Sequence, residues 1–258
     1  MTALNDRAVE LRRLHESSEL LQVVNVWDVA STRVIAALPE TRALATASHS
    51  IAASFGYEDG ERIPLDLMLE AVGRIAAATD LPVSADLEHG YGDPGTTIRR
   101  AIGIGIVGAN LEDQRRPFDE AVAAVRAAVA AAEAEGVAFA LNARTDMFVG
   151  DDPRPADEKA RDAIERGRAF LDEGATCVFV PGKLDERIVE QLVGGLGPRK
   201  LSVIGSPGSL APARLQELGV ARVSYGPWTQ RVALTALQDA ASVLYAGGGL
   251  PDGTRVLN

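Results

Sequence analysis

The sequence predicts one (β/α)8 barrel of parallel strands, and three observations carry the prediction. Short β-rich runs alternate with helical patterns of ten or so residues from end to end, the signature of a parallel sheet with crossover helices. Eight such units are present, the number that closes a sheet on itself. The 258 residues match one barrel, and no linker, low-complexity tract or shift in composition divides residues 1–258.

A leading helix, roughly Asp6–Glu19, is expected to cover the open bottom of the barrel. The first strand is Gln22–Trp27, with a helix at 29–38. The second is Ala43–Ser48, with a helix at 65–79, and the third is Pro82–Glu88, with a helix at 95–104 that Asp93-Pro94 caps and opens. Gly103-Ile104-Gly105-Ile106-Val107-Gly108 has the spacing of a dinucleotide fingerprint, which would suit an open doubly wound sheet. The context is reversed: these glycines close a helix and feed a strand, so they read as a C-cap and a tight turn. Strand four is Gly108–Asp113 with a helix at 118–135, and strand five is Ala138–Thr145 with a helix at 156–173. Cys177–Pro181, Leu201–Gly205 and Arg222–Tyr225 complete the barrel, with helices at 185–195, 210–218 and 228–246. In Gly205-Ser206-Pro207-Gly208-Ser209 the expected feature is a turn with Ser209 as helix cap.

A net charge of −10 argues against nucleic acid and anionic membranes as partners, without forbidding an anionic substrate at a locally cationic site. No run is long enough to cross a bilayer and the N-terminus has no signal-peptide pattern, so a cytoplasmic location is expected. Cys177 is the single cysteine, set in an apolar strand and read as a small buried hydrophobe. Only three histidines, at 15, 49 and 89, are present, which argues against an imidazole metal site. Any metal is therefore a hard, oxygen-ligated cation such as magnesium or manganese.

Such a cation is suggested by the acids. Asp86 and Glu88 are two apart and point the same way on an extended strand, where like charges repel unless a cation or a proton lies between them. Glu112 follows at the end of strand four, Arg144 at the end of strand five, and Asp59 in the loop after strand two. The C-terminal strand ends of a barrel build its active site. Any one of these acids alone reads as an exposed charge, a cap or a salt-bridge partner, as Asp93 and Asp113 do. Four acids from three consecutive βα loops, with one arginine, read as a metal-centred site for an anionic substrate.

These motifs resemble the isocitrate lyase/phosphoenolpyruvate mutase family. The matching pieces are Asn25-Val26-Trp27-Asp28, Thr46-Ala47-Ser48, Ala53 to Gly60, Asp86-Leu87-Glu88-His89-Gly90-Tyr91-Gly92, Asn110 to Asp113, Ala143 to Asp146, Phe179 to Gly182 and Gly219 to Gly226. The resemblance implies a (β/α)8 barrel that binds Mg2+ and a small 2-oxo or 2-hydroxy acid. It implies Asp86 as the direct metal ligand, with Asp59, Glu88 and Glu112 holding metal-bound waters. Arg144 would pair with a substrate carboxylate, and the backbone of Ala47-Ser48-His49 would cradle an oxyanion. It also implies a homodimer or homotetramer built by exchanging the last helix.

Departures narrow the activity. Isocitrate and methylisocitrate lyases of the family carry Lys-Lys-Cys-Gly after strand four, with the cysteine as proton donor. Here that loop is Gln114-Arg115-Arg116-Pro117-Phe118. The lysine and asparagine of the phosphoenolpyruvate mutases are missing between Asp113 and Asp119, and Pro181-Gly182 replaces a histidine after strand six. His49 stands where many relatives have a small or apolar residue. The expected activity is a carbon–carbon lyase or decarboxylase on an oxaloacetate-like or malate-like acid, through an enolate. The alternatives are a phosphonopyruvate-type mutase or hydrolase, for which Arg115-Arg116 offers charge although the pair reads first as a solvated loop with two exposed charges, and a barrel that binds without catalysing.

Overall fold

Eight strands pair in chain order and the last returns to the first: β1 (Leu21–Val26), β2 (Leu44–Thr46), β3 (Val83–Asp86), β4 (Gly108–Glu112), β5 (Ala140–Arg144), β6 (Cys177–Phe179), β7 (Leu201–Ile204) and β8 (Arg222–Ser224). All pairs are parallel, and Leu21 against Arg222 closes the ring. This computed structural model describes residues 3–257. The helices are α1 (Ala3–Glu16), α2 (Val29–Ala36), α3 (Ser48–Ser54), α4 (Leu65–Ala77), α5 (Pro94–Gly103), α6 (Phe118–Ala134), α7 (Ala156–Asp172), α8 (Glu186–Leu196), α9 (Pro212–Glu217) and α10 (Trp228–Tyr245).

The predicted architecture is therefore present, and the differences are local. β2 stops at Thr46 and Ser48 opens α3, a seven-residue helix that sequence periodicity does not announce because two turns are too short to show a pattern. β3 stops at Asp86, so Glu88 lies on a turn rather than on the strand. Ser209 does not cap a helix: it accepts from Ser206 N within the loop, and Ala211 is the N-cap of α9. Asp93 does cap α5, accepting from Thr96 N with Pro94 in the first turn. The glycine run works as a helix stop, with Gly105 at φ 97° and Gly108 beginning β4. No helix among the described residues is long and apolar enough to cross a membrane.

Strand alternation sorts the chain into two cores. Val83, Ala85 and Leu87 belong to an apolar layer with Val72, Ile75, Ile98 and Ile102 of α4 and α5, all at most 4% exposed. Full burial of such a side chain stabilises by about 1.5–3 kcal/mol. The alternate positions Ser84 and Asp86, Asn110 and Glu112, and Asn142 and Arg144 line the barrel lumen. Asn142 Nδ2 donates to Asn110 Oδ1 at 2.7 Å, and Arg222 reaches across to Ser84 Oγ at 3.2 Å.

The bottom is closed by α1. Gly108 leaves room for Leu11, because a Cβ there would come within 2.7 Å of Leu11 Cδ2 and 2.8 Å of Ala140 O. One turn later, His15 is 1% exposed and its Nδ1–H donates to Leu11 O at 2.8 Å. Burial, reinforced by the Arg222 charge, pushes the imidazole pKa down to about 3, so the folded state holds it neutral. The unfolded chain binds the extra proton below about pH 6.5, so stability is lost as pH falls from there toward 3. Each pH unit of that window is expected to cost up to about 1.4 kcal/mol. Urea unfolding of His15→Gln should show a shallower loss between neutral pH and pH 4.5 than the parent chain. Equal slopes would assign the acid sensitivity elsewhere.

Candidate metal centre and substrate site

Four segments bring the acids together at the C-terminal mouth of the barrel. β3 presents Asp86 and α3 presents Ser48, which holds Asp86 Oδ2 twice, through its backbone N–H at 3.2 Å and its hydroxyl at 2.8 Å. The same hydroxyl lies 3.4 Å from Asp59 Oδ1. Asp86 Oδ1 is buried and has no protein partner. A buried carboxylate oxygen left in this way demands a cation or a water.

Glu88 follows β3 on a turn that reverses the chain. Glu88 and Tyr91 have φ of 52° and 53°, as does the facing Glu61 at 59°, a region that favours glycine. Non-glycine residues held there concentrate strain at working sites. Glu61 staples the turn: its carboxylate accepts from His89 N at 3.1 Å and Tyr91 N at 2.7 Å, and its own N–H donates to Glu88 Oε2. Gly90 is required by space as well as by its φ of 92°, since a Cβ would lie 2.8 Å from Pro94 Cα. The Tyr91 hydroxyl donates to Glu88 Oε1 at 3.3 Å, and burial followed by the Glu88 charge keeps it protonated. The His89 Nδ1–H donates to Glu112 O at 2.7 Å, tying this turn to β4.

Glu112 and Arg144 are register partners on β4 and β5. Arg144 Nη1 meets Glu112 Oε2 at 2.7 Å, and Nε donates to Asp146 Oδ1 at 2.7 Å. Phe179 of β6 lies with its ring centre 6.0 Å from the guanidinium. The loop after β4 is short and clamped. Buried Asp113 accepts from Arg166 Nη1 and from Asp146 N, each at 3.0 Å, and from Thr145 Oγ1 at 2.8 Å. Arg166 Nη2 also donates to Arg116 O at 2.8 Å, and Arg115 Nε is spent on Asp146 O at 2.9 Å. The reading of Asp113 as a salt-bridge partner holds, and the exposed Arg115 also ties its loop to the one after β5.

Burial sets the electrostatics. It pushes the Glu88 carboxyl up to about 8, aided by Asp86 and Asp59, and Glu112 up to about 7 against the opposing pull of Arg144. Asp59 is also raised, by burial and then by Asp86. Cations or protons must share such a cluster. Among the described residues no three His, Cys, Asp or Glu side chains converge closely enough to ligate one ion themselves. The donor set is all oxygen, and Asp86 Oδ1 is its unpaired member, so the residues fit magnesium.

His49 lies beside Ser48 on α3, with a buried Nδ1 that has no partner. The N–H of Ser48 is directed to Asp86, so within Ala47-Ser48-His49 it is not free for a substrate oxyanion. Cys177 is fully buried in the lower barrel and burial pushes its thiol up to about 12, which removes it as a proton donor at neutral pH. Sequence reading did not single out Glu61, Asp146 or Arg222. Asp146 carried a signal, standing two residues beyond Arg144, but Glu61 and Arg222 act across the fold and have none in their own segments.

The family model for phosphoenolpyruvate phosphomutase matches residues 11–245. A Burkholderia cenocepacia J2315 structure described, provisionally, as a phosphonomutase superposes with a TM-score of 0.85 at 37% identity, covering 95% of this chain and 100% of that one. The structure of oxaloacetate acetylhydrolase with its product oxalate gives a TM-score of 0.84 at 27% identity, over 96% of this chain and 91% of the other. Oxaloacetate decarboxylase of Paraburkholderia xenovorans LB400 is 28% identical over 92% of this chain and 82% of its own length.

Proposed function

Because the chain belongs to the phosphoenolpyruvate mutase/isocitrate lyase superfamily of enzymes, we propose that it is a Mg2+-dependent carbon–carbon lyase or decarboxylase of a small oxaloacetate-like or malate-like acid. The observation that carries this reading is the unpaired, buried Asp86 Oδ1 in an acid cluster that ends on Arg144. Bound there, the metal would supply Lewis-acid polarisation of a substrate 2-oxo group. Asp86 would hold it directly, and Asp59, Glu88 and Glu112 would hold its waters. Arg144 orients the substrate by its carboxylate, and its planar fork adds fixed positive charge where an enolate develops.

The missing loop thiol favours decarboxylation. In a 3-carboxy-2-oxo acid the bond to the departing carboxylate breaks, CO2 leaves, and the electron pair stays as the enolate. Solvent can then deliver the proton to carbon. A retro-aldol lyase needs a placed acid, and here the clamped loop after β4 has no thiol and Cys177 is out of reach. Oxaloacetate with magnesium is therefore expected to release CO2 and pyruvate, and isocitrate and methylisocitrate to be left intact. Rapid cleavage of methylisocitrate with no turnover of oxaloacetate would reverse the assignment.

The 37% identity to the phosphonomutase-described structure supports a second reading, phosphonopyruvate chemistry. Phosphorus NMR of a phosphonopyruvate incubation separates the two. A barrel that only binds is disfavoured, because a cluster of mutually repelling acids is costly to keep without use. We place the homodimer or homotetramer here too. Val232, Leu234 and Leu237 of α10 are 54–70% exposed, an apolar surface that suits a second copy.

A further inference from the structure

Arg144 already has a carboxylate at two places on its guanidinium, and the two are held differently. Asp146, on Nε, is fixed from behind: its N–H donates to Asp113, which Thr145 and Arg166 hold in turn. Glu112, on Nη1, has a single further side-chain tie, at 3.1 Å from the amide of exposed Gln114 to its Oε1. Asp146 thus occupies one side of the fork, leaving the Nη1/Nη2 end for any incoming carboxylate. Glu112 stands at that end.

We infer that Glu112 is a displaceable internal carboxylate on Arg144, occupying the place a substrate carboxylate takes, while Asp146 is the permanent partner that aims the guanidinium. The inference rests on reading this mouth as a metal and carboxylate site. Leaving Arg144 with nothing in exchange strands Glu112 as a partly buried charge beside Asp86, which is costly. A hydrated cation at Asp86 gives Glu112 water to accept from, so its release becomes favourable. Cation and carboxylate binding are then coupled through one side chain, and the coupling is reciprocal. Glu112 is in this sense a positioning residue that gates Arg144.

Oxalate titration by calorimetry tests this on the intact protein, stripped of metal and then with magnesium restored. In the metal-free state Glu112→Gln should bind oxalate about tenfold more tightly than the parent chain, because Arg144 is released in advance. Glu88→Gln makes the same carboxyl-to-amide change within the cluster without touching Arg144, and should tighten binding by less than about threefold. Equal effects of the two substitutions would reduce the result to bulk electrostatics and overturn the inference. A crystal structure of the unsubstituted protein with magnesium and oxalate gives an independent reading. Oxalate on Arg144 with Glu112 turned away supports the exchange, and a retained Glu112–Arg144 pair beside bound oxalate overturns it. Failure of the parent chain to bind oxalate even with magnesium would instead sink the underlying metal and carboxylate reading, and the inference with it.

Discussion

Replacing Asp86 with alanine is expected to weaken magnesium binding by at least about 100-fold and to abolish turnover. A group acting through water typically contributes about 10- to 100-fold, so the direct ligand should exceed that range. The loss should come without unfolding. Asp86 contributes to raising Glu88, Asp59 and Glu112, so removing its charge relieves repulsion in the metal-free protein. Asp86→Asn, which keeps the shape and a partner for Ser48, should melt without metal at or above the temperature of the parent chain. It should also lose the upward shift that magnesium with oxalate is expected to confer on the parent, about 2.7 kcal/mol at ligand ~100 times its dissociation constant. Calorimetry showing an unchanged magnesium affinity for Asp86→Ala would move the direct ligand elsewhere.

Arg144→Lys is expected to lower turnover about 100- to 1,000-fold with the fold intact, the size of effect seen when one oriented donor to a developing charge is lost. Lysine preserves the charge but has no planar fork, and it cannot hold Asp146 and a substrate carboxylate in a fixed geometry at once. The substitution should affect kcat together with kcat/KM, as for an interaction that strengthens in the transition state. Near-normal kinetics would make Arg144 a structural tie between Glu112 and Asp146 and nothing more.

The mouth of the barrel was readable to the extent that its chemistry sits at strand ends. Asp86, Glu112 and Arg144 are each the last residue of a strand, so alternation and chain order were enough to predict that they share one face. Glu88 reaches the same mouth by a route that alternation does not describe. It belongs there through a left-handed turn braced by Glu61, not through strand alternation. The Ser48 amide was expected to face a substrate, and it faces Asp86 because β2 ends two residues before the predicted strand end and Ser48 opens α3.

What the sequence determined by itself is the eight-fold alternation, the parallel barrel it closes into, and the face on which four acids and an arginine collect. These follow from periodicity and chain order, which are local properties. Tertiary structure alone decided which oxygen lacks a partner, which carboxylates Arg144 holds, and that Arg166 locks the short loop through Asp113. Glu61 and Glu88 are 27 residues apart, and Arg166 and Asp113 are 53 apart. No pattern in either segment encodes the other. Their pairing exists only once hydrophobic burial has closed the barrel and packed α7 beside the loop, and only then do distance and desolvation give each charge its role.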